Sequence, residues 1–564
     1  MNIVILSGGS GNDALIKGLN ALYPKAKVDV IVNAYDNGKS TGVCRAVTDT
    51  LGVSDIRKNH SRLYKAINGD DVDQRIMEFY DSRYNFTKGN EVNEISELLI
   101  KWGMTQFIDI VIDFFNNPKA NDYEFKDFSV ANIVYAQMYK QFGYESTNAY
   151  FCNFLQLRDF VTLNSFDNIY IMAQTESGHV IKDEGETVFW NNPHDKIVKT
   201  IYKLDGESYG LNPKAINLIE NADLIVISTG TFWSSIQPTI EYLDFYKYIN
   251  ASKAKKIWTM NCEEDGDSFG VTDLDFIKYM EQTGLDLSDF TILLNSDARD
   301  SLKLADSTHT FVLYPMGNKK GKHDSAIYAK VILLIYYGLF DLSCNSYDGI
   351  IFDFDDTIWS RDPKDIECSK NNIKLINDNL SNNSVIISGN SYRSIKDKLY
   401  SVFGTNLDNF NIPIWADANS TEYIKDTPVR YIDELEINDN GLEEISALIK
   451  KYDLNIEKVG SRNFNYKIKP LSNLERKLLS DIVNLTCKNI KAEITGNTTV
   501  DILNLNNTKE VTYKFNNFKN QIYIGDELDT GNDSSISKLC KKSIQVDDVY
   551  ETNVLVKLLI DRGM

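Results

Sequence analysis

Tyr347-Asp-Gly-Ile-Ile-Phe-Asp353-Phe-Asp355-Asp-Thr357 opens the second half of the chain on a short apolar strand. The strand, Ile350 to Phe352, delivers two aspartates two residues apart at its C-terminal end. In an open α/β sheet that end is where ligands bind. Two carboxylates this close repel each other, so one is readily kept protonated or both are held by a metal. Such a pair can supply a nucleophile and a general acid at one site. The bland alternative is a strand-end turn, since Asp and Thr are common there for capping alone.

Three later stretches weigh against the bland alternative. Val385-Ile-Ile-Ser388-Gly-Asn390 is a second apolar strand, ending in a hydroxyl. Thr508-Lys509 follows the apolar run Val500 to Leu505. Ile522-Tyr-Ile-Gly525-Asp526-Glu-Leu-Asp529-Thr-Gly-Asn-Asp533 is a further strand, ending in an acidic, glycine-containing loop. Phosphoryl transfer needs these parts: an attacking carboxylate, a hydroxyl and a lysine on the phosphate oxygens, and carboxylates for Mg²⁺.

The order and contexts of the four stretches resemble the haloacid dehalogenase (HAD) superfamily of aspartate-nucleophile phosphatases, over residues 346–564. The resemblance implies that Asp353 is the nucleophile and Asp355 the general acid/base. Ser388 and Lys509 would bind phosphate. Asp526 and Asp533 would join Asp353 and the Asp355 main-chain carbonyl around Mg²⁺. Within the residues themselves two alternatives stay open. Asp529 competes with Asp533 as the second loop ligand. Lys467 and Lys469, in the alternating strand Asn463-Phe-Asn-Tyr-Lys-Ile-Lys469, compete with Lys509.

Residues 392–500 are too long for a loop. They hold helical stretches at 442–451 and 474–483 and alternating strands at 462–469 and 492–494. This reads as an inserted α+β cap over a core of 346–391 and 501–564. Insertion point and size look like the caps of sugar-phosphate phosphatases and phosphomannomutases, and a phosphomutase is one alternative for this half. Arg462, Asn463, Lys467 and Lys469 are the polar cap candidates for substrate contact.

The first half, 1–345, alternates apolar strands (Ile3–Leu6, Val28–Val32, Ile169–Met172, Leu224–Ile227, Lys256–Met260, Thr291–Leu294) with helical segments such as Val92–Trp102, Ile133–Phe142 and His323–Tyr337. That pattern predicts a mostly parallel sheet. Ile3-Val-Ile-Leu-Ser-Gly8-Gly9-Ser10-Gly11-Asn12 joins strand to helix through a turn whose N–H groups can approach phosphate. Asn33-Ala-Tyr-Asp36-Asn37-Gly-Lys-Ser40-Thr-Gly42, Gly52-Val-Ser-Asp55-Ile-Arg57-Lys-Asn59, Ser129-Val-Ala-Asn132, Ser228-Thr-Gly230-Thr231 and His323-Asp324 follow in order. Together they look like the 2-phospho-L-lactate transferase (CofD-like) family, which also includes regulators that bind uridine-diphosphate sugars. The resemblance implies a nucleotide-diphosphate site in which Gly8, Gly9, Ser10, Gly11 and Asn12 meet phosphate. Asp36 and Asp55 would bind metal or activate the acceptor. Ser40, Arg57 and Asn132 would hold substrate, with Gly230 and Thr231 in a second polar loop. Where the family has two aspartates this chain has Asp36-Asn37.

The expected fold class is therefore α/β: two Rossmann-like doubly wound domains, the second a HAD-type core with an inserted α+β cap. The chain has 564 residues, 43% of them hydrophobic, enough for several folded cores. A net charge of −20 argues against nucleic acid or an anionic membrane as partner. Seven unpatterned cysteines and the absence of a signal-like start suit a cytoplasmic protein. A homo-oligomer is compatible with the sequence. The expected function is bifunctional. The first half transfers a phosphorylated small molecule from a nucleotide-diphosphate donor, and the second hydrolyses a phosphomonoester with Mg²⁺ as cofactor. The rival makes the first half a nucleotide-sugar sensor without chemistry.

Overall fold

The computed structural model describes residues 1–564 except 10, 158–160, 183, 191, 193, 263–265, 296–308, 318–321, 341–346, 460–461, 470–471, 496–498, 517, 530–532 and 564. The chain divides into two compact units, Met1–Gly338 and Leu339–Met564. The boundary expected at 345 falls outside the described residues.

In the first unit, strands β1 (Asn2–Leu6), β2 (Lys27–Val32) and β3 (Val161–Leu163) run as nearly unbroken apolar stretches. Strands of this kind are buried on both faces, as a helix-covered parallel sheet requires. Three strands between residues 169 and 204 are different: β4 (Ile169–Thr175), β5 (Val180–Ile181) and β6 (Ile197–Leu204) form a separate antiparallel sheet. Ile169–Met172 therefore does not join the parallel sheet as expected. The reason is legible in its burial, which alternates along β4 because one face is covered and the other is not. The main sheet continues with β7 (Leu224–Ile227), β8 (Lys255–Thr259), β9 (Phe290–Asn295) and β10 (Thr310–Tyr314). Its order is β10-β9-β8-β7-β1-β2-β3, all parallel. Strand β1 sits between β2 and β7, so the strand order reverses there. The crevice at their C-terminal ends is a topological switch point.

The second unit repeats the logic. Its sheet is built from β11 (Gly349–Asp353), β12 (Ser384–Ile387), β13 (Ile414–Ala416), β14 (Thr421–Ile424) and β15 (Thr427–Tyr431). The inserted lobe carries β16 (Ile456–Val459), β17 (Asn465–Ile468), β18 (Ile490–Thr495) and β19 (Thr499–Asn504). The core then resumes with β20 (Gln521–Gly525) and β21 (Lys542–Gln545). The core order is β15-β14-β13-β12-β11-β20-β21, again reversing at the first strand, β11. The lobe is an antiparallel sheet, β16-β17-β19-β18, with helices Asp439–Tyr452 and Asn473–Thr486. It has its own apolar centre, including Ile445, Ile468, Val483, Ile490 and Ile502.

The insert is shorter than the expected 392–500. Helix Tyr392–Phe403 and strands β13 to β15 belong to the core, because β13 pairs in parallel with β12 and β14–β15 extend that sheet's edge. At the other end β19 carries the lobe on to Asn504. Among the described residues no helix is long and apolar enough to cross a membrane.

Candidate functional site

Strand β11 is fully buried and places Asp353 at its C-terminal end, itself only 5% exposed. Lys509, expected as the phosphate lysine, lies 3% exposed against it: Nζ donates to Asp353 Oδ1 at 2.5 Å and also to Asp533. Asp533 is wholly buried. One carboxylate oxygen each from Asp353, Asp526 and Asp533 lie within 4.8 Å of one another. Thr357 Oγ1 donates to Asp526 at 3.4 Å. Of the two loop aspartates, Asp533 converges on Asp353, and Asp529 is outside the cluster. Lys467 stands on lobe strand β17, 3.8 Å from Asp501, and Lys469 just past its end, 3.9 Å from Glu457.

These three carboxylates face one ammonium. Burial pushes the Asp353 carboxyl well above its ordinary range, with Lys509 pulling it down and Asp533 up. Burial works against the Lys509 ammonium, but Asp353 and Asp533 outweigh it and hold it charged. Burial, then Asp533, raises Asp526 to about 6. A cluster of hard oxygens with surplus negative charge fits Mg²⁺, which prefers carboxylate oxygen.

The Asp355 carboxylate is engaged elsewhere, by Asn390 Nδ2 at 2.6 Å, Lys398 Nζ at 2.9 Å and Ser388 Oγ at 3.2 Å. A metal contact from Asp355 would thus be its main-chain carbonyl, as the resemblance implies. Lys398 also lies 4.8 Å over the Phe354 ring. Sequence reasoning missed Lys398: it stands mid-helix in Tyr392–Phe403, and nothing local marks it. Asn390 had a signal, sitting two residues beyond Ser388. A cleft of about 850 Å³ adjoins this centre, with Asn390 on its wall together with Arg462, Lys467 and Lys469.

In the first unit, a cleft of about 300 Å³ lies over the switch point, lined by Gly8, Gly9, Gly11, Asp36, Asp55, Gly230 and Thr231. At Gly9 and Gly11 the turn after β1 is packed too tightly for a side chain. A Cβ on Gly11 would overlap the Thr229 carbonyl, and one on Gly9 the Asp55 carboxylate. Asn59 donates to the Gly8 carbonyl at 3.1 Å and accepts from Asn12 at 2.6 Å, which fixes the turn from behind. Asp36 accepts from the Gly38 N–H at 2.8 Å, from Thr41 at 3.2 Å and from Ser54. Arg45, 1% exposed, grips the Tyr35 and Asp36 carbonyls at 3.1 Å each and so anchors the Asp36 loop. Asp55 is pushed up by burial, with Lys58 lowering it and Asp36 raising it.

A family profile described as 2-phospho-L-lactate transferase CofD matches residues 3–326. The chain belongs to that family. Among curated relatives, the gluconeogenesis factor of Listeria monocytogenes is 24% identical over 293 residues, covering 52% of this chain and 76% of the relative. A solved Bacillus halodurans protein is 19% identical with a TM-score of 0.44, covering 59% of this chain and 99% of its own. HAD-superfamily phosphatases are structural neighbours of the C-terminal part. One from Bacteroides thetaiotaomicron is 13% identical with a TM-score of 0.29, covering 40% of this chain and 98% of its own.

Not every residue expected from the CofD-like motifs reaches the cleft. Arg57 does not. It is 4% exposed, its guanidinium donates to the Tyr80 carbonyl, and burial lowers its pKa to about 10. The reason is helical phase. Asp55 and Arg57 are two residues apart on helix Ser54–Asn68, so they point to different sides, whereas Lys58 at three residues shares the Asp55 face. Lys58 lines the cleft and pairs with Asp55 at 3.4 Å. Ser40 and Asn132 are also buried behind the wall. Asn132 donates to Ser40 at 3.0 Å and to Thr41, which does line the cleft. The Asn12 side chain is buried, donates to Asn59 and does not line the cleft. Ser10 lies outside the described residues. Lys39, Arg83 and Glu184 line the cleft without having been anticipated.

Proposed function

We propose that the second unit hydrolyses a phosphomonoester through an aspartyl phosphate on Asp353. The observation that carries this is the convergence of buried Asp353, Asp533 and Lys509 with half-buried Asp526 at the C-terminal end of the sheet. An Asp353 oxygen attacks phosphorus and the ester P–O bond breaks. The departing alkoxide takes a proton from Asp355. Water then attacks the aspartyl phosphate while Asp355 takes a proton from it, releasing phosphate and restoring Asp353. Lys509 neutralises phosphoryl oxygens. Mg²⁺ bound by the three carboxylates would supply further positive charge to the same oxygens. The three donors on Asp355 orient it for both proton steps. Replacing Lys398 with Met is expected to lower kcat on the order of 10-fold or more, within what positioned acid–base groups contribute. KM changes little, and Lys398→Arg retains most of the rate. Steady-state phosphate release measures this, and unchanged kcat in the Met variant would remove Lys398 from the assignment.

The first unit, on this reading, binds a nucleotide-diphosphate derivative over the Gly8–Gly11 turn and transfers its phosphorylated small-molecule part to an acceptor. The cleft at the switch point, with Lys58 among its lining cations, supports the binding half of that statement. Asn37 in place of a second aspartate favours the rival, a sensor that binds without turnover. The two separate on one assay: release of nucleoside monophosphate from a nucleotide-diphosphate donor. Under either, nucleoside diphosphate binding is expected to need Mg²⁺ and to weaken about 10-fold or more in Asp36→Ala, by calorimetric titration. Binding indifferent to Mg²⁺ and to Asp36 would overturn the metal role of that residue.

A further inference from the structure

The cleft beside Asp353 has a charge the rest of the chain does not share. In a protein of net charge −20, it is lined by six basic side chains and three acidic ones. Four of the basic groups are already matched. Lys396 pairs with Asp426 at 2.6 Å, and Arg462 with Asp433 at 2.7 Å and Glu436 at 2.5 Å. Lys467 and Lys469 have Asp501 and Glu457 as noted. Arg393 and Lys458 form no ion pair among the described residues. Lys458 does lie near Glu436, whose carboxyl is held below its usual range by Arg462 first and by Lys458 in part. Both Glu436 oxygens are already taken, by Arg462 and by the Asn463 N–H.

Arg393 and Lys458 come from different walls of the cleft. Arg393 stands in the first turn of the core helix Tyr392–Phe403, whose N-terminal end itself favours negative charge. Lys458 stands on lobe strand β16. Asn390 ties the cleft to the reacting end, since it lines the wall and donates to Asp355. A ligand whose phosphate reaches Asp353 therefore extends its leaving group into a space with two uncommitted cations. A neutral alcohol would leave both unmatched. A second anion would pair with them and make charge-assisted hydrogen bonds.

We propose that this cleft selects phosphomonoesters whose leaving-group alcohol carries a second anionic group, a carboxylate or a further phosphate, held by Arg393 and Lys458. The proposal rests on the phosphatase reading above and adds the substrate class. The test uses the full chain with Mg²⁺ and compares kcat/KM for four esters. p-Nitrophenyl phosphate and a hexose monophosphate have leaving groups without a second anion. Phosphoglycolate and a hexose bisphosphate carry a carboxylate and a second phosphate respectively. One or both of the latter are expected to be preferred by about tenfold or more, and the preferred arm identifies which anion is used. Arg393→Gln and Lys458→Gln should each cut that preference on the order of fivefold, through KM, and far more for the doubly anionic ester than for p-nitrophenyl phosphate. Added salt should shrink the preference in the wild type. Equal kcat/KM across the four esters, or a preference untouched by both variants, would overturn the substrate class while leaving the phosphatase reading in place. Absence of Asp353-dependent hydrolysis of any ester, p-nitrophenyl phosphate included, would overturn both.

Discussion

Asp353→Asn is expected to abolish phosphate release from p-nitrophenyl phosphate, by about a thousandfold or more, while the fold survives. An amide has no anionic oxygen to attack phosphorus, so the covalent route closes completely. The substitution is nearly isosteric, and the buried site remains filled. Lys509 loses one charged partner but keeps Asp533, so its ammonium is not stranded. Circular dichroism and the melting profile should therefore stay close to wild type. Acid-quenched wild type incubated with substrate should carry a phosphoryl group on Asp353, and the variant should not. Wild-type turnover in Asp353→Asn would remove Asp353 from the mechanism and with it the reading of the whole second unit.

Lys509→Met is expected to have the largest effect on stability. It leaves Asp353 and Asp533 side by side, 5% and 0% exposed, with no cation between them. Breaking a buried charge pair by removing one partner costs roughly 3–5 kcal/mol. Melting of the second unit in chelator should fall accordingly. Millimolar Mg²⁺ should recover much of the loss, since a ligand that binds only the folded form stabilises it by mass action. The recovery should exceed the response of the wild type, and phosphatase activity should stay absent. The metal response should also depend on pH. The Asp526 carboxyl is raised from 3.8 to about 6, by burial first and Asp533 next, so the folded form holds a proton that the unfolded chain gives up. Without metal, this group's contribution to stability is present at low pH and is lost as pH rises through about 6. Mg²⁺ must displace that proton, so the metal response should weaken in the wild type as pH falls through about 6, and at a higher pH in Lys509→Met, which lacks the ammonium that lowers Asp526. A Lys509→Met protein as stable as wild type in chelator would show that the pair does not hold the site.

The sequence by itself determined the two α/β halves and the strand ends on which the candidate site residues stand. Strands of a helix-covered parallel sheet are continuous apolar runs, and their C-terminal ends carry the ligand-facing residues. Asp353, Ser388 and Asp526 could therefore be located by reading to the end of each run, as could the Gly8–Gly11 turn. The CofD family match over 3–326 bears out the family read from the first half. What only the tertiary structure decided was which side chain, among near neighbours, turns toward the site. Lys58 rather than Arg57 faces the first cleft because a helix turns about 100° per residue and Asp55 sets the phase. Asp533 rather than Asp529 completes the carboxylate cluster, because the path of the loop after β20 is not encoded in spacing. Lys509 meets Asp353 across 156 residues of sequence, and Lys398 meets Asp355 across 43. The limits of the insert were hidden for the same reason. Whether Ile414–Ala416 pairs with β12 or with the lobe is a question of long-range strand partners, and an apolar run does not name its partner.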